Sequence, residues 1–122
     1  MARILIIDDD DALRAALGAA LREEGHVIEE ASGGNAGLAR CRTVPPDIVI
    51  TDIVMAEGEG IETIRTLSKT APHLPIIAIS GQGEYLRSAL KLGAARVLMK
   101  PFRLSQLLAV LAEIAAIEGA SF

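Results

Sequence analysis

Three carboxylates and one amine sit where short apolar runs end, and together they define what chemistry this chain could do. Asp8 and Asp9 follow the run Arg3-Ile-Leu-Ile-Ile7, and Asp52 follows Asp47-Ile-Val-Ile-Thr51. Lys100 closes Arg96-Val-Leu-Met99 and is followed at once by Pro101, while Ser80 ends Ile76-Ile-Ala-Ile-Ser80. In an open parallel α/β sheet the carboxyl ends of the strands face one crevice, and ligands bind there. Three acids and one ammonium delivered to such a crevice suit a hard cation together with an oxyanion. Acids gathered without compensation would be costly, since two like charges about 4 Å apart repel by roughly 4 kcal/mol at an effective dielectric of 20. A divalent cation resolves that repulsion. Each residue also has a plainer reading: Asp52 as an Asx-turn, Asp8 to Asp11 as a solvated helix cap, Ser80 as a turn serine, Lys100 as a snorkelling surface lysine.

The elements that must position these groups are legible as an alternation of short β-rich runs and longer helical patterns. Residues 3–7 form a continuous aliphatic run, the mark of a buried strand. Leu13, Ala16, Leu17, Ala20 and Leu21 then recur at helical spacing, with Arg14, Arg22, Glu23 and Glu24 on the opposite face. Asp10 or Asp11 supplies an N-cap for this helix over 12–24, and Gly25 supplies its stop. Strands are predicted over 27–31, at a sheet edge, and over 47–51, 76–80 and 96–99. Helices are predicted over 35–42, 61–69, 85–92 (stopped by Gly93) and 104–117. Five strands alternating with five helices imply right-handed βαβ units and a doubly wound parallel sheet covered on both faces.

Composition narrows the class. A chain of 122 residues fits one domain and can bury about two thirds of its unfolded surface. With two Phe, one Tyr and no Trp, its core must be aliphatic. A net charge of −4 argues against direct nucleic-acid binding. The single Cys41 has no internal disulfide partner and reads as a partly packed helical thiol without a redox role. His26 and His73, after a glycine and a proline, read as solvated loop residues. The N-terminus has no signal-peptide pattern, and no apolar run approaches the ~20 residues of a membrane span, so a cytoplasmic protein is expected.

Four motifs in register give the chain a family resemblance. Ile4-Leu-Ile-Ile-Asp-Asp-Asp10, Pro46-Asp-Ile-Val-Ile-Thr-Asp-Ile-Val-Met55, Ile76-Ile-Ala-Ile-Ser80 and Val97-Leu-Met-Lys-Pro-Phe102 resemble the response-regulator receiver domain of two-component signalling, over nearly the whole length. The resemblance is to the single-domain, chemotaxis-regulator type, and it implies that residues 1–122 are one receiver domain with no output domain. It implies a flavodoxin-like sheet in the order 2-1-3-4-5, an order known for a chemotaxis receiver. By the same resemblance Asp52 accepts a phosphoryl group from a histidine kinase or histidine phosphotransfer protein, since a carboxylate can attack phosphorus to give an acyl phosphate. Asp9 then binds Mg²⁺ directly and Asp8 orients a metal-bound water. Asp52 and the backbone carbonyl of Val54 complete the protein's share of the metal site. Lys100 pairs with Asp52 and later with a phosphoryl oxygen, its bond to Pro101 is cis, and Ser80 donates to the phosphoryl group. The phosphorylated state shifts a two-state equilibrium of the face built by the fourth helix, fifth strand and fifth helix, which an unknown target reads.

Departures from the family pattern modify these expectations. Val97 stands where an aromatic is usual, so a ring swing cannot report phosphorylation. Ala56 replaces a usual proline, and Gly58 and Gly60 make the loop after Asp52 free to carry the change instead. Val54 cannot orient an attacking water, which implies a long-lived phosphoryl group. The last helix is apolar on more than one face (Leu104, Leu107, Leu108, Val110, Leu111, Ile114, Ile117). The excess suggests a partner or homodimer surface, and poor ordering or a lattice contact would account for it as well. Two other classes are consistent with parts of the pattern. Asp8-Asp-Asp10 matches the Asp-x-Asp motif of Mg²⁺-dependent haloacid-dehalogenase-like phosphatases, with Asp8 as nucleophile and Asp10 as acid/base. A pseudo-receiver used only for docking would keep the fold without the phosphorylation.

Overall fold

The computed structural model describes residues 1–55 and 59–118. Its order is β1 (Arg3–Ile7), α1 (Asp11–Glu23), β2 (Val27–Ala31), α2 (Gly34–Thr43), β3 (Ile48–Asp52), α3 (Glu59–Thr70), β4 (Ile76–Ser80), α4 (Gly83–Leu92), β5 (Arg96–Met99) and α5 (Leu104–Glu118). All four strand pairings are parallel, and the sheet runs β2-β1-β3-β4-β5. The fold is therefore the α/β doubly wound, flavodoxin-like sheet that the alternation and the resemblance imply.

Alternation along each strand builds two cores. Ile4 and Ile6 of β1, Ile48 and Ile50 of β3, and Ile77 and Ile79 of β4 point to one face. There they pack with Leu17 and Leu21 of α1 and Leu107, Leu111 and Ile114 of α5. Leu5, Ile7, Val49, Ile76 and Ala78 point to the other, against Ile64 and Leu67 of α3 and Leu86 and Ala89 of α4. Every residue of β3 and β4 is buried, as central parallel strands require. Val27 begins the edge strand β2 and is exposed.

Helix ends follow local chemistry. Asp10 is the N-cap of α1, accepting from the Leu13 backbone N–H at 3.0 Å. Gly25 and Gly93 lie at φ +92° and +116° just past α1 and α4, a left-handed turn that favours glycine. Small differences from the sequence reading occur at boundaries. Asp47 precedes β3 rather than opening it, because its carboxylate accepts the Arg3 N–H at 2.8 Å, and α4 begins two residues early, at Gly83.

Three expectations need correction. His26 is not a solvated loop residue: its Nδ1 accepts the N–H of buried Ala2 at 3.0 Å, and burial lowers its pKa. His73 is exposed, as expected. Gly60 does not loosen a loop. It is buried in the first turn of α3, where a Cβ would collide with the backbone of Ile53. Ala56 and Gly58 lie outside the described residues, so the proposed loop switch does too. Of the apolar residues of α5, Leu107, Leu111 and Ile114 are buried and Leu108 and Val110 pack partly against the core. Only Leu104 and Ile117 of that set are exposed. Cys41 is partly packed against the second core, and burial raises its pKa, which disfavours the reactive thiolate.

Candidate phosphoacceptor and metal site

The ladder continues past the strands and thereby aligns the site. Asp8 N–H donates to Ala31 O at 3.1 Å, Ile53 N–H to Ile79 O at 3.0 Å, and Lys100 N–H to Ser80 O at 2.8 Å. These bonds hold the residues at the ends of β1, β3 and β5 along one edge of the sheet. Carboxylate oxygens of Asp8, Asp9 and Asp52 all fall within 4.8 Å of one another there. Asp8 is fully buried, Asp52 is 5% exposed and Asp9 is open to solvent.

Lys100 is shared rather than dedicated. Its Nζ lies 3.2 Å from Asp8 Oδ2 and 3.4 Å from Asp52 Oδ2, so the expectation of a partnership with Asp52 alone is widened to both acids. The Lys100–Pro101 bond is cis, as the resemblance implies. Burial, and then the charge of Asp8, push the Asp52 pKa up, while Lys100 opposes them. Three carboxylates facing one ammonium leave the cup two charges short of neutrality. That deficit, the short oxygen–oxygen spans and the all-oxygen donor set fit a hard divalent cation such as Mg²⁺.

The remaining residues divide. Ser80 is buried at the end of β4, and its Oγ accepts the Gln82 N–H at 3.1 Å, so the turn-serine reading holds while the residue also stands at the site's edge. Val54 lies just after β3 with its side chain exposed. Val97 is half-buried against the second core. Asp10 spends its carboxylate on the α1 cap, and Asp8 is sealed from solvent, an arrangement ill suited to a phosphatase acid/base and nucleophile.

Sequence reasoning missed Arg14, assigned only to the polar face of α1. Its Nη1 donates to the backbone carbonyl of Asp8 at 2.6 Å and its Nη2 to Asp11 Oδ1 at 2.7 Å. A signal was present: a cation in the first turn of a helix opposes the helix dipole and calls for a compensating partner.

With this geometry in place, comparison with known proteins places the chain in a class. The profile of the response regulator receiver domain matches residues 4–112, and the chain belongs to that family. Response regulator MprA of Mycolicibacterium vanbaalenii is 36% identical over 109 residues, covering 88% of this chain and 47% of the relative. The KDP operon transcriptional regulatory protein KdpE of Escherichia coli K12 is also 36% identical, covering 88% of this chain and 48% of the relative. The chain thus spans about half the length of these curated relatives. Among solved structures, a CheY-like receiver domain protein from Methanospirillum hungatei superimposes with a TM-score of 0.91 at 29% identity, over 98% of this chain and 97% of the other. NtrX from Brucella abortus gives 0.86 at 31% identity, over 92% of this chain and 26% of the other. The protein is a receiver of two-component signalling. The comparisons favour neither a haloacid-dehalogenase-like phosphatase nor a docking-only pseudo-receiver.

Proposed function

We propose that residues 1–122 act as the receiver by accepting a phosphoryl group on Asp52 in a Mg²⁺-dependent reaction, the donor being a histidine kinase or histidine phosphotransfer protein. The observation that carries this reading is the convergence of Asp8, Asp9 and Asp52 on one point with Lys100 beside them. Asp8, Asp9, Asp52 and the Val54 backbone carbonyl would hold the cation. When bound, it supplies charge neutralisation for the incoming phosphoryl oxygens.

The chain's own residues do the rest. Asp52 attacks phosphorus with a carboxylate oxygen; the new O–P bond forms as the P–N bond to the donor imidazole breaks. Lys100 stays at the lip and passes from its two carboxylates to a phosphoryl oxygen, a stabilisation that grows as charge develops. Ser80, whose oxygen already accepts from Gln82, turns its own O–H toward the phosphoryl group. With Val54 exposed and unable to orient water, the aspartyl phosphate is long-lived. In this role the domain catalyses only its own phosphorylation and dephosphorylation. The half-exposed apolar residues of α4, β5 and α5 (Tyr85, Leu90, Met99 and Leu104) present the face read by a downstream target or a second copy. Among the described residues no helix is long and apolar enough to cross a membrane, and we place the domain in the cytoplasm.

Incubation with acetyl phosphate and Mg²⁺ followed by intact mass tests the reading. One added phosphoryl group, absent without Mg²⁺ and absent in Asp52→Asn, is expected. Modification retained in Asp52→Asn, or none in the wild type, overturns it.

A further inference from the structure

Asp8 and Asp9 are neighbours in sequence, yet one side chain is sealed in the sheet and the other open to solvent, and both must reach one point. What relates them is the peptide plane between them. That plane carries the Asp8 carbonyl and the Asp9 N–H as one rigid unit, so the direction of the carbonyl fixes the Asp9 N–Cα bond and leaves only the rotation about it to aim the Asp9 side chain. On its Asp8 side the backbone is already fixed by the N–H bond to Ala31 O at 3.1 Å. The carboxylate is fixed as well, with Oδ1 accepting the Asp10 N–H at 2.9 Å and Oδ2 held by Lys100. The carbonyl is held by Arg14, at 2.6 Å.

Arg14 is itself braced. Its side chain is 15% exposed, Nη2 meets Asp11 Oδ1 at 2.7 Å, and Nε lies 3.4 Å from Glu30 Oε1 on β2. That last contact is an ion pair without hydrogen-bond geometry, because Nε has no hydrogen-bond partner. Arg22 also reaches Glu30, at 3.3 Å. The guanidinium thus joins a strand, a helix and the Asp8–Asp9 peptide.

We propose that Arg14 is a positioning residue for the divalent cation: it fixes the Asp8–Asp9 peptide plane and so the bite of the two acids on the metal. The inference rests on the reading above, that these acids hold Mg²⁺. It makes a counterintuitive prediction of sign. Removing a positive charge near a cation site should tighten cation binding if only electrostatics mattered. If Arg14 acts by orienting the acids, its loss must weaken binding instead.

The test is the Mg²⁺ dissociation constant of the full chain by titration calorimetry, with thermal melts in parallel. Arg14→Ala is expected to weaken Mg²⁺ binding about tenfold, the effect typical of losing a group that orients metal ligands. Arg14→Lys keeps the charge but not the planar fork that reaches the carbonyl and Asp11 together, and should weaken it about threefold. A lowered melting temperature with Mg²⁺ affinity unchanged or tightened in these variants overturns the inference, since a purely structural role moves only the melt. Should Arg14→Ala fail to fold, the Mg²⁺ affinity of Arg14→Lys decides by the same criterion. A wild type that binds no Mg²⁺ would sink the proposed function itself. Wild-type binding with indifferent variants sinks only the role of Arg14.

Discussion

Asp52 is buried beside a second buried acid, Asp8, and the two share one amine. Burial and the Asp8 charge raise its pKa, so without a divalent cation folding works against ionising it. The sign follows: with the native pKa above the unfolded one, the penalty is nil below the unfolded value near 3.9 and complete once pH exceeds the native value. Metal-free Asp52→Asn should therefore be more stable than the wild type at pH 7 and no more stable near pH 3. Urea unfolding in EDTA at the two pH values checks this; a variant less stable than wild type at pH 7 contradicts it. At this scale the identities of Asp8, Asp9, Asp52 and Lys100 were legible because acids at strand ends stand out against an aliphatic background. The sharing of Lys100 between two acids was not legible, since no spacing encodes which of two neighbouring oxygens an amine approaches. For Arg14 the helix-dipole cost signalled that a partner was needed, but not which one, because its target is the backbone carbonyl of Asp8, which leaves no trace in side-chain pattern.

The strands deliver these residues because β1, β3, β4 and β5 end at the site; β3 and β4 are buried along their whole length, β1 beyond Arg3, and β5, which leads to Lys100, is only half-buried. Periodicity and turn residues marked all ten elements, as aliphatic strands and capped helices leave strong local signals. The failures lay where tertiary packing decided. His26 was read from its neighbour Gly25 as exposed, but its ring accepts the Ala2 N–H, a partner twenty-four residues away. Gly60 was read as a source of freedom, because glycine after a strand usually means a turn. In the fold it marks close approach, since a Cβ there would run into the backbone of Ile53, the residue after Asp52. Gly60→Ala should accordingly destabilise the domain by about 2 kcal/mol, despite alanine's better helix propensity, because backbone cannot give way as a side chain can. Chemical denaturation measures it, and a neutral or stabilising substitution would show that the first turn of α3 yields freely.

For the whole molecule, the fold matches solved receivers from Brucella abortus and Methanospirillum hungatei, with TM-scores of 0.86 and 0.91. Yet the curated relatives are about twice as long as the aligned stretch, so what the receiver controls is a separate matter from how it is switched. The central claim is that one cup gathers a cation and a phosphoryl group on Asp52. Fluorine NMR of added beryllofluoride, a phosphoryl mimic, reads that most directly. A bound resonance that requires Mg²⁺ and vanishes in Asp52→Asn is predicted. A bound signal that persists in Asp52→Asn, or that forms equally well without Mg²⁺, would contradict the account.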